Sequence, residues 1–269
     1  MAFDIGRVLA EGLERATERN AAVLFALFLS VGLASTVAAQ SVQATTFEQV
    51  ATLLEAQGEA GAAEQLRAGV GQLPLAVLPS AGAYALTVAA FVAGETVRVI
   101  ADRTFVSDAT GGLHEPGRNL LGATVNSILA SVVLGVLLVV GTVLLVLPGL
   151  FFAVVFFFTR QEIAVEGENF VGALSGSVRL TKGHRFELFA LAVVLFAVGA
   201  AATVVGSFVP GVGGAVAGTG LSAAVGVYVS AVAAAAYRQL RAERRDDGAE
   251  TAGSDDSNDG WDDPPGVEM

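Results

Sequence analysis

The stretch VLLVLPGLFFAVVFFFTRQE, residues 143–162, closes a run of forty residues, Leu120 to Thr159, in which no side chain is charged. A helix rises about 1.5 Å per residue and the hydrocarbon core of a bilayer is about 30 Å thick, so roughly twenty apolar residues make one crossing. This run therefore holds two crossings, and the chain must turn back inside it. Pro148-Gly149 is the expected turn, because proline removes a backbone donor and glycine accepts reversed dihedrals. A second placement turns the chain near Gly141-Thr142 and leaves Pro148 as a kink. With the turn at Pro148, the stretch from Leu150 to Thr159 is too short to cross alone. The second limb then takes in the residues up to Val165, and Arg160 and Glu162 snorkel to the interface or face the bundle.

The same count finds four more crossings, at residues 21–39, 73–94, 188–208 and 213–237, the last two joined through Pro210-Gly211. The 269-residue chain is 54% hydrophobic and only 15% charged, a balance that one soluble core could not hide. The predicted fold is all-α: an integral membrane bundle of about six transmembrane helices with additional interfacial helices. Val37-Ala38-Ala39 before Gln40 also resembles a signal-peptide processing site, but the segment preceding that apolar stretch is long and carries four acids.

Basic residues test the number of crossings. Of the fourteen Arg and one Lys, all but Arg67 fall on one side if the chain crosses six times: before the first crossing, in two even-numbered connections, and after the last. Loops rich in Lys and Arg stay in the cytosol. The expected placement is multi-pass in the cytoplasmic membrane, with both termini cytoplasmic.

Outside the crossings, residues 1–20 form an expected interfacial amphipathic helix, with Ile5, Val8, Leu9 and Leu13 at helical spacing. The external loop 40–72 carries a capping-box pattern, Thr45 with Glu48, and reads as a short helical cap. Segment 169–183 starts with Asn169 as an N-cap and stops at Gly183. It reads as a surface helix whose cations, with Arg185 beyond it, face lipid headgroups: Arg179, Lys182 and Arg185. The cytoplasmic tail, residues 241–269, holds nine acids and no base from residue 246 onward and is expected to be disordered there. That tail supplies most of the net charge of -11, which argues against nucleic acid as a partner; the acid-rich exposed segments and the scarcity of lysine fit a protein adapted to high salt.

Little in the sequence points to chemistry. Cysteine is absent, and the two histidines, His114 and His184, lack a second ligand at metal spacing. Ser30, Ser127, Ser131 and Ser222 lie in crossings without a His, Lys or Asp to act as base, and the crossings carry no charge apart from Arg160 and Glu162 at the edge of one. No catalytic residue, cofactor or metal is expected. The clearest pattern inside the membrane is a stripe of small residues every four positions, Gly214, Gly218, Ser222, Gly226 and Ser230, continuing to Ala234. It forms a ridge for close helix packing, with Gly199, Thr203 and Gly206 or with a second subunit.

Two segments carry a set of recognisable steps: GTVLLVLPGLFFAVVFFFTRQEIAVEGE holds a Leu-Pro-Gly step and an acidic Glu-Gly-Glu, and NFVGALSGSVRLTKGHRFELFAL holds an Ala-Leu-x-x-Ser step (Ala173, Leu174, Ser177) and a Leu-Thr-Lys-Gly exit. Over about residues 118–208 the chain resembles the polytopic family that includes the membrane domain attached to some glycerophosphodiester phosphodiesterases, especially its stand-alone haloarchaeal relatives. Val178 stands where that family often has Trp. The resemblance implies an all-helical membrane fold and no activity, since no soluble stretch is long enough for the phosphodiesterase barrel. The expected role is a non-catalytic scaffold, lipid-interacting or accessory protein, its partners being membrane lipids and another membrane protein or a second copy of itself. The alternative is a permease for a small or uncharged solute. A polar cavity reaching the midplane would favour the permease, and a bundle filled by Leu, Phe and Ala the scaffold.

Overall fold

The computed structural model describes residues 3–109, 111–144 and 146–255. Ten α-helices follow one another: α1 (Ile5–Ala16), α2 (Arg19–Ala56), α3 (Ala60–Val70), α4 (Ser80–Val106), α5 (Leu120–Leu144), α6 (Val146–Val155), α7 (Thr159–Gln161), α8 (Phe170–Thr181), α9 (Arg185–Ser207) and α10 (Gly211–Asp255), with a π-helical turn at Glu162–Glu166 after α7. Among the described residues six segments are long and apolar enough to cross a membrane: Arg19–Ala56, Ser80–Val106, Leu120–Val143, Pro148–Glu166, Arg185–Gly206 and Gly211–Arg245. Large apolar side chains stand on their outer surfaces, among them Val88, Val136, Val139, Val143, Phe196 and Val205. A water-soluble fold could not leave such a belt exposed, and lipid covers it at no cost. The protein is an all-α, multi-pass membrane bundle.

Packing is dense toward the end of the bundle that carries α1 and α8. There Val8, Phe158, Leu188, Leu191, Val232 and Tyr237 form one core, and Leu24, Ala101, Phe105, Val227 and Ala231 a second. Arginines stitch the helix ends at this face. Arg15 donates to the Ser107 carbonyl (2.6 Å) at the end of α4, and Arg103 donates to the carbonyls of Ala164 (2.7 Å) and Arg118 (2.6 Å). Ser107 follows the end of α4, Arg118 precedes α5 and Ala164 lies in the π-helical turn, so the arginines give donors to backbone acceptors at helix ends and breaks.

Several local expectations are corrected. Pro148 and Gly149 do not form the turn: they lie in the first turn of α6, and α5 runs past Gly141 to Leu144. Proline is tolerated in the first helical turn, where its missing N–H has no partner to lose. A Cβ on Gly141 would lie 2.8 Å from the Gly149 Cα. Eight residues span about 12 Å in a continuous helix. The contact therefore requires the chain to fold back between the two glycines; Leu145 lies outside the described residues. The expected reversal at Pro210-Gly211 lies where α9 gives way to α10, with Gly211 at φ +73°.

α2 does not stop at the outer end of its crossing. It runs 38 residues, about 57 Å by the helical rise, and Thr45 is mid-helix, its hydroxyl bonded to the Ser41 carbonyl. α3 folds back on it and is clipped there by Arg67 against Glu48 (3.3 Å) and Glu55. The Glu55 bond, then that to Glu48, raises the pKa of Arg67 above its ordinary value. In α1, Val8 and Gly12 meet α10 at Val232, whereas Leu13 remains exposed. α10 continues as helix through Asp255, into the segment expected to be disordered. Once started, a helix adds residues without a new nucleation cost. Residues 256–269, with Trp261, lie outside the described residues.

Candidate functional site

The fourth crossing is broken, and the break builds the site. α6 ends at Val155, and the backbone is irregular from Phe156 to Phe158 before α7 begins. Inside a membrane such a gap must be filled from within the protein. Ser177 of α8 fills it, accepting from the Phe158 N–H (3.1 Å) and donating to the Val155 carbonyl (2.9 Å), which Thr181 also reaches at 3.3 Å. α8 begins at its predicted cap, the Asn169 side chain accepting from the Gly172 N–H at 2.9 Å. It is more than a surface helix, since its face of Ala173, Gly176, Ser177, Leu180 and Thr181 is buried.

After the break, three consecutive residues reach three different partners. Arg160 Nε lies 3.8 Å from Glu95 Oε2 on α4. Gln161 donates to Asp102 Oδ1 on α4 across 3.2 Å. Glu162 accepts from the Tyr237 hydroxyl on α10 across 3.0 Å. Successive helical residues point about 100° apart, so one short turn placed among several helices can serve each of them. The π-helical turn beginning at Glu162 is of a kind often found at functional sites.

Glu95 and Asp102 are each 1% exposed. Glu95 also accepts from Arg98 Nη1 (2.9 Å) and from the Ser127 hydroxyl of α5 (2.6 Å). Asp102 Oδ2 and Gln161 Oε1 have no hydrogen-bond partner. Buried charge in a crossing is costly and marks function by default. The apolar run of the second crossing ends at residue 94, before both carboxylates. In the structure α4 continues to Val106, and the spacing of Glu95 and Asp102, two helical turns apart on one face, was the available signal.

Over this ionic layer a cleft of about 1170 Å³ opens between α2, α4, α5, α9 and α10, with Glu95, Arg98 and Arg160 among its lining. The small-residue stripe forms one wall: Gly214, Gly218, Ser222, Gly226 and Ser230 all line the space, and from first to last they span about 24 Å by the helical rise. Packing occurs at only some of these positions. A Cβ on Gly206 would lie 2.9 Å from the Gly218 Cα, and one on Gly226 would touch Phe28 at 3.5 Å, whereas Gly199 of α9 has open space before it. Ser222 is exposed within the cleft. The Thr36 and Thr219 hydroxyls, 3.0 Å apart, join α2 to α10 beside it.

The three cations expected at lipid headgroups separate. Lys182 is exposed, and Arg179 is exposed beside arginines of α10. Arg185 instead lies over the Phe151 ring, 5.3 Å from its centroid, with its Nε buried. An aromatic face attracts a guanidinium and holds this one inside. Among the described residues no group of three or more His, Cys, Asp or Glu could hold a metal ion.

A helical membrane protein with a broken crossing, and a cleft floored by paired charges, is the class this geometry defines. The chain belongs to the family described as a domain of unknown function (DUF7847), whose model matches residues 3–240. The match takes in the first five apolar segments and most of the sixth, and stops before the acidic end. No curated protein and no solved structure matches the chain.

Proposed function

We propose that the protein is a permease of the cytoplasmic membrane, with both chain ends in the cytosol, whose cleft receives a small amphipathic solute. The cleft is the observation that supports this reading: its walls are largely Gly, Ala, Val and Phe, while Glu95, Arg98 and Arg160 offer polar partners at its floor. Such a space suits a molecule with an apolar body and one polar end. A scaffold would fill the space between its helices with large apolar side chains, so the cleft favours the permease over a scaffold or accessory role. Binding and passage are favoured over catalysis because, among the described residues, the lining contains Ser and Thr but no His. The cytoplasmic placement rests on the basic residues, all but one of which fall on one side of six crossings. The kinship proposed with the membrane domain of glycerophosphodiester phosphodiesterases adds an architecture to this reading and no reaction.

The absence of cysteine makes the test direct. In intact cells, S222C reacts with a membrane-impermeant maleimide, while V193C on the outer surface of α9 does not. Small molecules retained in mild detergent and identified by mass spectrometry are lost from Ser222→Trp. If S222C is as unreactive as V193C and Ser222→Trp retains the same molecules, the permease reading is wrong and the scaffold reading returns.

A further inference from the structure

At the opposite end of α10 from the cleft, four arginines converge. Arg179 of α8 and Arg241, Arg244 and Arg245 of α10 line a pocket of about 370 Å³ with Glu162 and Gly176. We infer that this pocket binds a phosphate group, carried by a lipid headgroup or free in solution. The inference does not rest on the cleft, since it uses other residues.

The charge around the pocket leaves an excess of cations. Arg241 is paired with Glu166 and donates to the Tyr237 hydroxyl (3.2 Å), which in turn holds Glu162. Arg244 donates to the Arg179 carbonyl at the end of α8. Arg179 and Arg245 form no ion pair with the side chains described up to Arg245, and both are exposed. The lining thus holds four guanidinium groups and one carboxylate, Glu162, with Glu166 paired to Arg241, and a phosphate dianion would neutralise the cations that remain. This excess is notable in a chain whose formal charge is -11.

Chemistry narrows the ligand. A guanidinium presents a planar fork of donors that matches phosphate oxygens two at a time, and arginine is chosen where such matching matters. The pocket also stands where a crossing ends: α10 is buried continuously from Ala231 to Tyr237, and the arginines follow within two turns. Headgroup phosphates lie at that level of a bilayer. Gly176 keeps the floor open, because a Cβ there would lie 2.7 Å from Glu162 Oε2.

The experiment uses the full chain in an uncharged detergent and follows thermal unfolding. One arm titrates sodium phosphate against sodium chloride at equal ionic strength, and the other titrates dihexanoyl phosphatidic acid against dihexanoylglycerol. Stabilisation by phosphate indicates a free anion; stabilisation by the phosphatidic acid alone indicates a lipid headgroup. In either case the apparent affinity falls at least tenfold in Arg179→Gln/Arg245→Gln and stays within twofold of wild type in Arg7→Gln/Arg19→Gln, which removes two exposed cations outside the pocket lining. Should the first double variant not fold, Arg245→Gln alone gives a several-fold loss. No stabilisation above the controls, or equal losses in both double variants, overturns the inference.

Discussion

Arg160 stands 3.8 Å from Glu95, and the two belong to crossings that are not adjacent in sequence. The pair ties the broken crossing to α4 and sets the floor of the cleft. Removing the carboxylate leaves Arg98 and Arg160 without their shared partner. Breaking a fully buried pair costs about 3–5 kcal/mol, but these arginine side chains are 44% and 37% exposed, so screening reduces the loss. Glu95→Ala should destabilise by about 1–3 kcal/mol. Glu95→Gln, which can still bond Ser127, should melt between it and wild type in detergent. Equal melting of all three proteins would show that the pair contributes nothing.

Ser177→Ala removes both bonds that bridge the break after α6. Leaving a buried N–H and a buried carbonyl short of partners costs about 1–3 kcal/mol each at most. The exposed Ser175, which bonds only within its own helix, is the control. Hydrogen exchange should rise at Val155 to Thr159 in Ser177→Ala and remain unchanged in Ser175→Ala.

Gly141 and Gly149 allow α5 and α6 to touch backbone to backbone. Gly141→Ala should cost about 1–3 kcal/mol through overpacking. Gly135→Ala, on the same helix with nothing within 4 Å of the added carbon, should melt at or above the wild-type temperature. The hairpin geometry is wrong if the two variants behave alike.

Tyr237→Phe keeps the ring that packs on Phe158, 5.7 Å between centroids, and deletes the hydroxyl shared by Glu162 and Arg241. Since Glu162 is buried, the expected loss is about 1–3 kcal/mol. Combined with Glu162→Gln, the second change should add less than it does alone, a non-additivity that a double-mutant cycle measures.

The six apolar segments were legible because hydropathy is written directly in composition. Boundaries were harder where one residue type serves two purposes. Pro148 is as acceptable in the first turn of a helix as in a reversal, and only the contact between Gly141 and Gly149 decides. Thr45 and Glu48 match a capping box, yet Thr45, Thr46 and Thr52 each bond the carbonyl four residues back and let α2 continue. Glu95 directly follows the greasy run that ends at residue 94, and its partners Ser127 and Arg160 are remote in sequence, so the adjoining residues do not mark it as buried. The stripe from Gly214 to Ser230 was visible, but small residues read the same whether a helix presses on them or a void stands before them. Only the tertiary arrangement distinguishes Gly218, packed on Gly206, from the open Ser222.

α10 is one uninterrupted rod from Gly211 to Asp255. Its first half walls the cleft and its second half carries three of the four clustered arginines. Stiff elements carry motion along their length. The wall at Ser222 and the cluster of Arg241, Arg244 and Arg245 are thus built on a single helix, so a change at one end has an unbroken backbone path to the other.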